Sequence, residues 1–132
     1  MASFAGALPQ LSKVRGVVTL RRQDGGVVCE SCTVADQMFP RMKGLLGRSG
    51  LAPTEGMLIR PAPSIHTFFM RFPIDVVFLS RDGDVLKVAS NVGAWRTRSC
   101  RKAYAVLELA AGEAERRNVT VGDRIEAVEC TS

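Results

Sequence analysis

The segment Pro73-Ile-Asp-Val-Val-Phe-Leu-Ser80 constrains this chain more than any other stretch. It is nearly all apolar, rich in β-branched residues, opened by a proline and closed by the turn signal Arg81-Asp-Gly-Asp84. It is too short for a buried helix, so residues 74–80 read as a strand covered on both faces. Residues 85–90 return from the turn as its hairpin partner. A chain with this at its centre builds a sheet with material on either side.

Similar punctuation recurs along the chain. Around Val14, Val18 and Leu20 the sequence alternates apolar with polar, the period of a half-exposed strand. Asp24-Gly25-Gly26 turns it into a second short strand over residues 27–30. Thr33 is placed to cap a helix, with Asp36 at the positive helix end. That predicts a helix over residues 34–46, with Met38, Met42, Leu45 and Leu46 on one face and Gly47 as its stop. Further strands are expected at Met57-Leu-Ile59, before Pro61-Ala-Pro63, at residues 66–70, at residues 103–109, and at residues 124–129 after Gly122-Asp123. Residues 110–117 read as a short helix ended by Asn118. The expected fold class is mainly β: a jelly-roll-like β-sandwich or barrel of about eight short strands, with one packed helix and one short C-terminal helix.

A length of 132 residues suits one domain. Residues 1–12 read as a flexible N-terminal arm and residues 13–130 as a single β-rich domain. Hydrophobic residues make up 46% and charged residues 23%, which excludes a disordered body. The opening residues lack a basic region before a short apolar stretch broken by Gly6 and Pro9, a poor export signal. No apolar run approaches the roughly 20 residues of a membrane helix. Four cysteines in such a chain are expected as reduced thiols in the cytoplasm.

The formal net charge is +5, and fourteen of the eighteen basic residues are Arg. The guanidinium fork suits phosphate and carboxylate partners. Thirteen acids are interspersed with these bases, so the charge pattern does not favour specific nucleic-acid binding. One aromatic–basic stretch, Trp95-Arg-Thr-Arg-Ser-Cys-Arg-Lys102, could stack on a base, but it reads better as a solvated loop.

Three motifs share an order with a known family. Gly44-Leu-Leu-Gly-Arg48 with Leu51 and Gly56-Met-Leu58 comes first. His66-Thr-Phe-Phe-Met70 with Pro73-Ile-Asp75-Val-Val-Phe78 is central. Leu107-Glu108-Leu109 with Gly112, then Gly122-Asp123, closes the series. Over residues 33–128 the chain resembles the uncharacterised family known as domain of unknown function 192. The resemblance implies a small β-sandwich or barrel of jelly-roll type with a packed helix, and no established enzymatic activity. Many members carry an export signal, which the opening residues here are not expected to form, and Trp is frequent where this chain has Phe69. Cys29 and Cys32 precede the matched region and are not family features.

Within these motifs, polar residues interrupt apolar strands. Arg48, His66, Met70, Arg71, Asp75 and Glu108 are the candidate ligand-binding residues, converging on a small polar or anionic ligand. The competing structural reading pairs Asp75 and Glu108 internally, with Arg48 and Arg71 as partners. His66 is the only histidine, so imidazole chemistry rests on it. Cys29-Glu-Ser-Cys32 is a weak metal or redox candidate; His66 and Cys100 would be needed to complete a zinc set. No cofactor is called for, and Cys100 and Cys130 read as isolated thiols. The preferred function is a small binding or accessory module. Its rivals are a hydrolase or lyase with His66 as general base, and a protein–protein adaptor presenting Phe68, Phe69 and Phe72 as an apolar patch.

Overall fold

The computed structural model describes residues 11–36, 50–67 and 70–129, with His66 and Glu129 described by their backbone alone. Nine strands form within these residues: β1 (Val17–Arg22), β2 (Val27–Asp36), β3 (Glu55–Arg60), β4 (Ser64–His66), β5 (Ile74–Leu79), β6 (Val85–Val92), β7 (Thr97–Ser99), β8 (Ala105–Ala110) and β9 (Ile125–Glu129). One short helix, α1 (Glu113–Arg116), precedes β9. Seven strands make one sheet in the order β6-β5-β8-β3-β2-β1-β9, while β4 and β7 pair as a separate ribbon. No helix among the described residues is long and apolar enough to cross a membrane.

The protein is mainly β, with one parallel pair, β2–β3, inside an otherwise antiparallel sheet. A jelly roll is built of antiparallel strands, and this pair departs from that plan. The long sheet curls until its edges meet. Asp84 bridges Arg124. The Val85 N–H donates to the Asp123 carbonyl at 2.7 Å, and the Ile125 N–H donates to the Gly83 carbonyl at 2.8 Å. The contact pairs backbone groups that two open edges would otherwise expose.

Strand alternation sorts the apolar residues into two cores. The first lies on the inner face of the curl and includes Leu20, Val28, Leu58, Val77, Leu107 and Ile125. The second lies on the other face, where Met57, Ile59, Val76, Phe78 and Val106 meet Ile65 of β4 and the following Met70 and Phe72. Being covered on both sides explains why every residue of β5 is buried, as the apolar run implied.

Four expectations are corrected. Thr33 and Asp36 do not open a helix. They lie in β2, where Thr33 pairs with Val17 on one side and Met57 on the other, so pairing on two edges outweighs a local capping signal. The rest of the expected helix, residues 37–46, lies outside the described residues. The basic stretch after Trp95 is not wholly loop, since Thr97–Ser99 form β7 against β4. The strand expected over residues 66–70 ends at His66. Leu11 is 2% exposed and packs in the first core, so the packed body includes part of the expected arm.

Closure sets a strict demand at Gly83. Its φ is 98°, a conformation costly for residues with a side chain, and a Cβ there would sit 2.2 Å from the Ile125 carbonyl oxygen. Gly83→Ala is expected to destabilise the protein by at least about 1 kcal/mol, measured by urea denaturation. Gly93→Ala, at a site with open space and no positive φ, is the control expected to stay near wild type.

Candidate functional site

β5 carries Asp75 into the interior with no exposed surface. Its Oδ1 accepts the Asn91 N–H at 2.8 Å, and its Oδ2 accepts the N–H groups of Gly112 at 3.0 Å and Ala114 at 2.9 Å. Asn91 has a φ of 52° within an irregular stretch of β6. Gly112 and Ala114 begin α1. One carboxylate therefore ties β5 to a bulged neighbour and to the helix. Backbone donors occupy both of its oxygens, which accounts for its burial without a ligand.

Glu108 is also buried, at 2% exposure, and is partnered, but it faces the other core. Asp75 pairs with Leu109, and Glu108 pairs with Val76. Adjacent strand residues point to opposite faces, so Asp75 and Glu108 are separated by the sheet. The expected convergence of these two carboxylates on one pocket is thus corrected. Met70 shares the second core with Val76, on the Glu108 side. Arg71 is exposed. The His66 backbone pairs with Thr97; its side chain and Arg48 lie outside the described residues. Thr67 fixes the end of β4: its hydroxyl donates to the Gly93 carbonyl at 2.6 Å and accepts the Arg96 N–H at 2.9 Å. Phe72 is buried in the second core, which removes it from the apolar patch the adaptor reading needs.

One buried polar residue went unremarked in the sequence. Arg60 ends β3 and is only 5% exposed. Alternation places it with Leu58, on the first-core face. It lies one step beyond the Ile59–Val106 pair, in the row that carries Ala105 and Leu79. Its Nη1 has no hydrogen-bond partner, and no carboxylate among the described residues forms an ion pair with it. Asp36, its neighbour across β2, is exposed. A second guanidinium stands at the same end, with Arg81 lying 4.2 Å from the Tyr104 ring centroid. The only sequence signal was an arginine closing an apolar strand before Pro61.

At the opposite end of that core lie Cys29 and Cys32, both fully buried. Cys100 packs against the second core, so it cannot complete a zinc set with them. No group of three or more His, Cys, Asp or Glu side chains suited to a metal occurs among the described residues. A hydrogen bond from Cys32 holds the Cys29 thiol below its ordinary range, and burial pushes Cys32 well above it. Nearby, Arg117 donates to Glu113, Glu30 and the Val27 and Pro53 carbonyls. Hydrogen bonds from Arg116, then Arg117, keep the Glu113 carboxyl below the usual carboxylate range.

The family model for domain of unknown function 192, described as an uncharacterised ACR, matches residues 19–127, so the match begins earlier than the expected residue 33 and takes in Cys29 and Cys32. The chain belongs to that family. Two solved structures are similar to this member. One, from Sinorhizobium meliloti 1021 and described as a candidate transcription regulator, is 27% identical with a TM-score of 0.73, covering 87% of this chain and 97% of its own. The other, a protein of unknown function from Novosphingobium aromaticivorans DSM 12444, is 26% identical with a TM-score of 0.71, covering 83% of each chain. No curated protein matches the chain.

Asp75→Ala leaves three backbone N–H groups without their acceptor. It is expected to cost about 3 kcal/mol in urea denaturation, while an exposed control, Arg15→Ala, stays within about 0.5 kcal/mol of wild type.

Proposed function

We propose that this member of the family is a small cytoplasmic binding module for a small anionic ligand, held at the Arg60 end of the first core. A single observation carries the reading: a buried guanidinium whose Nη1 has no partner, and which forms no ion pair, among the described residues. A buried cation without a counter-charge is expensive, and a protein that keeps one gains from an anion that neutralises it. Arginine offers a planar fork that phosphate and carboxylate both match. Arg81 adds positive potential at the same end of the sheet. The description of the Sinorhizobium protein as a candidate regulator is compatible with a ligand sensor of this kind.

The test is thermal denaturation at constant ionic strength with inorganic phosphate or citrate. For the wild type, an anion at 100 times its Kd is expected to add about 2.7 kcal/mol, a rise in Tm on the order of 10 °C. Arg60→Met is expected to be more stable than wild type without anion and to lose the anion response. A wild type indifferent to both anions, with Arg60→Met less stable, would contradict the reading.

A further inference from the structure

Cysteines three apart in a regular strand point to opposite faces. Here they do not. Val18 pairs with Cys32 and Leu20 pairs with Cys29, so one residue of β1, Thr19, opposes two of β2. The extra residue is a bulge at Glu30-Ser31, and it turns both thiols into the first core. They are close enough for Cys32 to hydrogen-bond Cys29. The neighbouring strand makes room for them: a Cβ on Gly56 would lie 2.8 Å from Cys29 Sγ. Arg117 crosses the outside of the bulge, its side chain 7% exposed, and bonds the Val27 carbonyl and Glu30.

We propose that Cys29 and Cys32 form a two-thiolate site for Cu(I). Soft thiolates select soft ions, and Cu(I) is satisfied by two of them where zinc calls for four ligands. Zinc would need further donors that the described residues do not bring here. The Thr54 carbonyl, 3.7 Å from Cys29 Sγ, is a hard oxygen and a poor third ligand.

Binding forms two S–Cu bonds and breaks two S–H bonds, releasing two protons and leaving one net negative charge. Arg117 is placed to balance that charge, and its field already favours the Cys29 thiolate. The other charges around the pair are Glu30, Glu113 and, across the sheet, Glu108, which disfavours ionised Cys32. Because the ion displaces protons, apparent affinity rises with pH, by about tenfold to a hundredfold per unit.

The experiment is an anaerobic titration of the reduced full chain with Cu(I) against a chromogenic Cu(I) chelator. One equivalent is expected to bind. Cys29→Ala and Cys32→Ala are each expected to lose more than about 100-fold in affinity, the upper end of what loss of an outer-shell partner costs. A Cys100→Ala/Cys130→Ala chain should keep it. X-ray absorption at the copper edge of the wild type needs no variant to fold and is expected to show two sulfur neighbours. No binding by the wild type, equal binding by a Cys29→Ala/Cys32→Ala chain, or a spectrum with three or more ligands would overturn the proposal.

Discussion

The Asp75 carboxylate is the constraint on which the rest of the structure leans. A charge with no exposed surface is tolerated only when its lone pairs are filled, and three backbone N–H groups fill them. Those donors belong to β6 and to the start of α1, so one side chain fixes how both approach β5. The consequence travels further. With α1 in place, Arg117 just beyond it reaches the Val27 and Pro53 carbonyls and Glu30. The guanidinium thereby braces the bulge that aims both cysteines inward. A polar contact on β5 thus bears on a thiol pair three strands away.

The first core offers different chemistry at its two ends. Gly56 and Arg60 of β3 are four residue steps apart, a span of about 13 Å. At the Gly56 end are two soft sulfurs beside a cation; at the Arg60 end is a buried guanidinium with no ion pair among the described residues. Among the described residues, neither end sets a nucleophile beside a base. Both suit recognition, one of a soft metal ion and one of an anion. The two can be lost independently, because no residue belongs to both.

Much of the fold was legible because glycine and proline mark turns by mechanism. Asp24-Gly25-Gly26, Arg81-Asp-Gly-Asp84 and Gly122-Asp123 each turn the chain where expected, with Gly25, Gly83 and Gly122 all at positive φ. Asn118 ends the helix at a φ of 58°. The buried run of β5 was equally plain. What sequence could not supply was register. The capping pattern at Thr33 lost to two flanking strands, a non-local effect. Asp75 and Glu108 read as one cluster until pairing placed them on opposite faces. The cysteines read only as a weak metal or redox candidate until the register showed a bulge that turns both into one core. Arg60 gave almost no signal, because an arginine at a strand end is ordinary until its surroundings show it buried and unpaired.

The account stands or falls on whether the Asp75 carboxylate holds the sheet and helix together in solution. Amide hydrogen exchange followed by NMR reads this directly at Asn91, Gly112 and Ala114. If the carboxylate accepts all three, these amides exchange only through global unfolding, with protection matching that of β5 and β8. Exchange of Gly112 and Ala114 at rates typical of exposed loops, while β5 and β8 stay protected, would contradict it.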